Sequence, residues 1–138
     1  MFFKKKIKDN DNKNLTKISA LLIHAAKIDQ NYSDTEEKII KQSLLELGVK
    51  DIDLEKVIRI GKEIDENSNQ ILDFTKEVKS MSNKNKIKII ETLWRIIYSN
   101  NDADIYETNL MRRLAGLLYI DSKIMGDIKE KIKNEISQ

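Results

Sequence analysis

The sequence predicts an all-α, single-domain bundle of about seven helices, and three observations predict it. Apolar residues recur at spacings of three and four along almost the whole chain of 138 residues, which is the signature of helices with one buried face. No run of strand length alternates between apolar and polar. Pro is absent, so no ring interrupts a helix.

The elements follow in order. Residues 1–14 read as a mobile basic and polar lead-in, and 15–138 as the helical domain. Leu15, Ile18, Leu22, Ala25 and Ala26 place one buried face on a first helix, which stops at the turn-forming Asp29-Gln30-Asn31. Ser33-x-x-Glu36 is a capping box and starts the second helix. Its buried stripe is Ile39, Ile40, Leu44 and Leu47, and Gly48 stands where a C′ glycine ends a helix. A third helix runs from Asp51, an N-cap, to about Ile64 through Leu54, Val57 and Ile58. Asp65 to Asn69 is polar and reads as a loop. A short fourth helix carries Ile71, Leu72, Phe74 and Val78.

Ser82 caps a fifth helix, the most apolar, with Ile87, Ile90, Leu93, Trp94 and Ile97 at the centre of the core. It ends at Asn100-Asn101. Asp104-x-x-Glu107 repeats the capping pattern ahead of Leu110, Met111, Leu114, Leu117 and Leu118. Asp121 caps a last helix with Ile124, Ile128 and Ile132 inward.

Composition removes several function classes. Cysteine is absent, which excludes disulfides, zinc–thiolate sites and thiol nucleophiles. The 25 basic residues nearly cancel the 23 acidic ones, so the balance gives no expectation of a nucleic-acid partner. No apolar run reaches the ~20 residues that cross a bilayer, and the N-terminus lacks the apolar core of a signal peptide. The expected location is the cytoplasm, with contact at the inner face of the membrane as an option. With four glycines there is no Gly-rich phosphate loop, and no hydrolase or dinucleotide motif is present, so an enzyme is not expected.

A shift of 71 positions, which carries residue 29 to residue 100, superimposes two segments. Leu22 falls on Leu93, Ser33 on Asp104, Glu36 on Glu107, Ile40 on Met111 and Leu47 on Leu118. The repeated pattern is apolar helix, polar loop, cap, glutamate, apolar helix. It predicts an internal duplication of a helix hairpin.

The repeated loops are the strongest candidate site. Asp29, Asn31, Ser33 and Glu36 stand at positions one, three, five and eight of the first, and Asn100, Asp102, Asp104 and Glu107 at the same positions of the second. Oxygen ligands at alternate positions suit a hard cation, Ca²⁺ or Mg²⁺. The loops lack the glycine at position six and the acid at position twelve of an EF-hand. Helix capping alone also explains Ser33, Glu36, Asp104 and Glu107. Both roles are compatible if the loops meet and share the glutamates.

The two segments resemble the TerB-like tellurite-resistance domain family. The resemblance rests on Ala25-Ala26-Lys27-Ile28-Asp29-Gln30-Asn31-Tyr32-Ser33-Asp34-Thr35-Glu36 and on Ile97-Tyr98-Ser99-Asn100-Asn101-Asp102-Ala103-Asp104-Ile105-Tyr106-Glu107. Glu91-Thr92-Leu93-Trp94-Arg95 looks like that family's Trp-bearing helix, and Asp73-Phe74-Thr75 like its middle segment. The likeness covers roughly residues 15 to 135. The usual loop glycine is replaced by Gln30 and Asn101, and the usual first aspartate of the second copy by Asn100. The resemblance implies a stress-linked, non-enzymatic domain that binds a protein partner and carries divalent-cation ligands in its acidic loops.

Three other features have simpler readings. His24 is the single histidine, aligns with Arg95 in the repeat, and reads as neither ligand nor catalyst. Trp94 and Phe74 read as core, while Tyr98 and Tyr106 flank the second acidic loop. Phe2, Phe3, Lys4, Lys5, Lys6 and Lys8 combine apolar anchors with lysines, so the alternative function is a membrane-peripheral interaction module that uses the basic N-terminus and binds no ion.

Overall fold

The computed structural model describes residues 15–27, 33–67, 72–99 and 105–137, with side chains described except at 72–74, 105–108 and 137. Seven helices occupy these residues, and no strand is found among them. They are α1 (residues 15–26), α2 (Asp34–Glu46), α3 (Asp51–Asn67), α4 (Leu72–Lys79), α5 (Asn83–Tyr98), α6 (Ile105–Leu117) and α7 (Ser122–Ser137).

Side-chain pairings fix the directions. On α2 and α3, Glu37 meets Lys62 and Lys41 meets Glu55, so the two run antiparallel. On α2 and α5, Ser43 meets Thr92 and Glu46 meets Lys88, again antiparallel. On α5 and α7, Glu91 meets Lys131 and Arg95 meets Glu135, so these two run parallel. Helix α1 lies parallel to α3, with Ser19 against Gly61 and His24 against Asp65. Lys17 at the start of α1 reaches Glu77 at the end of α4. The chain therefore runs up and down through all seven helices. One end of the bundle gathers the N-termini of α1, α3, α5 and α7 with the turns 47–50, 80–82 and 118–121. The other end gathers residues 27, 33, 67, 99 and 105, which flank the remaining connections.

Two helices form the centre. Ile89, Ile90, Leu93, Trp94, Ile96 and Ile97 are buried on α5, as its apolar run requires. Helix α1 was expected to bury one face. It is instead covered nearly all round, with Ile18, Ser19, Ala20, Leu21, Leu22 and Ile23 fully inaccessible. Small residues allow this. A Cβ on Gly61 would stand 2.6 Å from Ser19 Oγ and 3.2 Å from the Ala20 amide nitrogen, so α3 approaches α1 only because residue 61 has no side chain.

Helix termini follow the capping rules. Ser82 Oγ accepts from the Asn85 N–H at 3.3 Å, and Asp121 Oδ1 accepts from the Lys123 N–H at 2.9 Å. Helix α2 ends in a Schellman motif, with Gly48 N–H to the Leu45 carbonyl, Val49 N–H to the Leu44 carbonyl, and Gly48 at φ +112°. Helix α6 ends with the same pair of bonds, Tyr119 N–H to Gly116 and Ile120 N–H to Ala115, but the left-handed residue is Tyr119 at φ +57°.

Four expectations are corrected. Helix α3 continues to Asn67, through Asp65 and Glu66, because the Asp65 carboxylate is buried and tied to α1 instead of facing solvent. Asp51 is the first residue of α3, where its charge suits the helix N-terminus, and not a residue ahead of it. Ile87 is 37% exposed, because the inward stripe of α5 runs through Ile89, Ile90 and Leu93. Ile124 is 44% exposed, since Met125 takes the inward position ahead of Ile128 and Ile132.

Candidate functional site

The first acidic loop is described at its helix-side edge. Ser33 and Glu36 form a complete capping box at the start of α2. Ser33 Oγ accepts from the Glu36 N–H at 3.2 Å, while Glu36 Oε1 accepts from the Ser33 N–H at 2.9 Å and from the Ser33 hydroxyl at 3.0 Å. The Glu36 residue is only 1% exposed. Burial of a carboxylate is costly unless it is hydrogen-bonded, and the box supplies bonds to one of its two oxygens. Capping thus accounts for Oε1. Asp29, Asn31, Asn100, Asp102 and Asp104 lie outside the described residues, and Glu107 is described only as backbone in the first turn of α6.

Next to that edge, α1 and α3 end in a cluster the sequence reading missed. Asp65 Oδ1 stands 3.0 Å from His24 Nδ1, and Asp65 Oδ2 stands 3.3 Å from Lys27 Nζ. The Asp65 side chain is 7% exposed. His24 therefore does have a carboxylate partner, brought from 41 positions away. The legible signal was Asp65 itself, which falls four residues after Gly61 and eight after Val57 on the buried stripe of α3. Taking it for a loop residue hid the pair. The cluster fixes the end of α1 at the point where the chain enters the first acidic loop. Among the described residues no group of three or more His, Asp or Glu side chains is placed to hold a metal ion.

A groove of about 560 Å³ runs between α2 and α5. Its floor is the buried Ser43–Thr92 hydrogen bond of 2.7 Å, and its rims carry Lys38, Glu46, Lys88 and Arg95. Glu46 and Lys88 pair loosely across it at 3.8 Å. Arg95 pairs with Glu91, which also lines the groove, and with Glu135 on α7.

Of the aromatic residues, Trp94 takes the core position its spacing implies, and Tyr98 is buried beside it. Trp94 is 2% exposed and stacks on Tyr98, ring centroids 5.9 Å apart. Burial pushes the Tyr98 hydroxyl above its ordinary pKa, and the nearby Glu130 charge adds to that. The side chains of Phe74 and Tyr106, and the whole N-terminal segment with Phe2, Phe3 and Lys4 to Lys8, lie outside the described residues. No helix among the described residues is long and apolar enough to cross a membrane.

No curated protein and no solved structure matches the chain. One family model does, the one described as "Tellurite resistance protein TerB", and it matches residues 15–130. The matched span takes in both acidic loops, the α1–α3 cluster and six of the seven helices entire, and on it the chain belongs to the TerB tellurite-resistance family.

Proposed function

We propose that this TerB-family domain is a non-enzymatic scaffold of the cytoplasm that binds a protein partner in stress and tellurite resistance, and that a divalent cation, Ca²⁺ or Mg²⁺, binds weakly across its two acidic loops. The observation that carries the reading is topological. Residues 27 and 33, which bracket the first loop, lie at the same end of the bundle as residues 99 and 105, which bracket the second. A shared ion would draw on Asp29, Asn31, Ser33 and Glu36 with Asn100, Asp102, Asp104 and Glu107. The hairpins that these loops close are proposed to be copies of one unit. An ion held between them fixes one against the other and shifts the population of a partner-binding surface.

The test replaces Glu36 and Glu107 with Gln in the full chain. Gln still accepts the cap hydrogen bond, so the helices remain. Calorimetric titration with Ca²⁺ and with Mg²⁺ should show saturable binding to the parent and none to the double variant. Equal affinity in both proteins would rule the shared site out and leave the glutamates as caps.

A further inference from the structure

We infer that the corner of the bundle built from the end of α4, the start of α5 and the α6–α7 turn is a docking face for an anionic lipid surface. The inference is independent of the cation reading, which concerns the opposite end. Exposed apolar side chains come first. Tyr119 is 74% exposed, Ile124 44% and Ile87 37%, on three different segments that meet at one end. Tyr119 stands out because it holds a left-handed conformation at the tip of a turn, where its counterpart at the end of α2 is glycine. A bulky aromatic kept there at a conformational cost points outward for a reason other than folding.

Lysines surround these side chains. Lys76 and Lys79 lie in the last turn of α4, Lys84 and Lys86 in the first turns of α5, and Lys123 in the first turn of α7. The first turns of α5 and α7 contain no acidic residue. Lysine at a helix N-terminus opposes the helix dipole, so Lys84, Lys86 and Lys123 stand at the unfavourable end of their helices. The two helices are parallel, with residue 91 level with 131 and 95 with 135, and this register sets Lys84 beside Ile124. Lys79 Nζ sits 4.5 Å from the centre of the Tyr119 ring, and Lys86 Nζ donates to the Leu118 carbonyl at 3.3 Å. Of the nearby carboxylates, Glu77 pairs with Lys17 and Asp121 caps α7, while Asp127, one turn after Lys123, is exposed and offsets one of these lysine charges.

Separate apolar tips standing among lysines suit insertion between lipid headgroups, with the ammonium groups on the lipid phosphates. A peptide partner would call for a continuous groove, and the groove between α2 and α5 lies away from this corner. Ile52, exposed at this end too, is flanked by Asp51 and Asp53 and is not included.

The experiment is co-sedimentation of the full chain with vesicles of phosphatidylcholine and phosphatidylglycerol in a ratio of about 3:1, against phosphatidylcholine alone. The account expects salt-sensitive binding to the anionic vesicles only. Either Tyr119→Ser with Ile124→Ser, or Lys84→Glu with Lys123→Glu, should weaken it at least about tenfold. Ile136→Ser, equally exposed at the opposite end, should leave it unchanged. All these side chains are exposed, and circular dichroism confirms that each variant is helical. No binding to anionic vesicles, or equal binding to both kinds, overturns the inference. So does binding that survives both double variants but is lost when Lys4, Lys5, Lys6 and Lys8 become Ala, which would assign it to the N-terminal segment alone. Binding to polyglutamate without binding to lipid would point to an acidic protein instead.

Discussion

The two parallel helix pairs, α1 with α3 and α5 with α7, occupy matching places in the chain but are held together differently. The first pair closes through a missing side chain and a buried carboxylate. Gly61 admits the α1 backbone, and Asp65 binds His24 and Lys27 from a nearly inaccessible position. The second pair closes through an apolar stripe and a partly exposed network of Glu91, Lys131, Arg95 and Glu135. Partly exposed ion pairs contribute little, because water screens them. Close backbone approach and a buried charge tolerate almost no change. The difference teaches that similar topology does not imply similar tolerance: the first pair hinges on Gly61 and Asp65, while the second spreads its contacts over a stripe and a network.

The largest expected effect breaks the first pair outright. Gly61→Val places a branched side chain where even a Cβ would overlap Ser19, and should cost about 3 kcal/mol in urea unfolding. A cost below about 1 kcal/mol would mean that the approach of α1 and α3 is looser than described.

The contrast between the pairs is sharpened by removing one carboxylate from each. Asp65→Ala removes the buried carboxylate that His24 and Lys27 share, and should cost about 2 kcal/mol. Glu91→Ala removes an acid from the exposed network, and should cost about 0.5 kcal/mol. Equal losses in thermal or denaturant unfolding would erase the distinction between the halves.

A contrast of sign, small in size, concerns the two Schellman ends. Gly48→Ala forces a side chain to φ +112° and should destabilise by about 1 kcal/mol. Tyr119→Gly relieves the left-handed tyrosine and should stabilise by roughly 0.5 kcal/mol. Opposite signs at two termini with the same hydrogen bonds are the expected result. Loss of stability in both would show that Tyr119 is packed into the fold and not merely displayed.

Most of the architecture is legible in the residues, and the reasons are local. Ser33 with Glu36, Ser82, Asp121 and Gly48 each state a helix terminus in terms of one hydrogen bond or one dihedral angle. The apolar stripes of α2 and α6 are likewise local. What sequence could not give depends on neighbours. A lone Asp65 at the end of a charged stretch looks like a loop until α1 places His24 and Lys27 against it. Ile87 and Ile124 fit the helical period, but which face turns inward is decided by the stripe that buries most, through Ile90 and Met125. The encirclement of α1 follows from small residues at Ser19, Ala20 and Gly61, which an apolar count does not register. For the candidate site, the capping pair of the first loop was readable as Ser33-x-x-Glu36, whereas the burial of Glu36 was not.

The central functional claim is that the two acidic loops act on one cation. A ¹H–¹⁵N NMR titration of the full chain with Ca²⁺ tests it most directly. The account predicts that amides of residues 29–36 and 100–107 shift together along a single saturation curve. Absence of shifts at about millimolar ion, weaker than the loosest extracellular calcium modules, or two unrelated curves for the two loops, would contradict it.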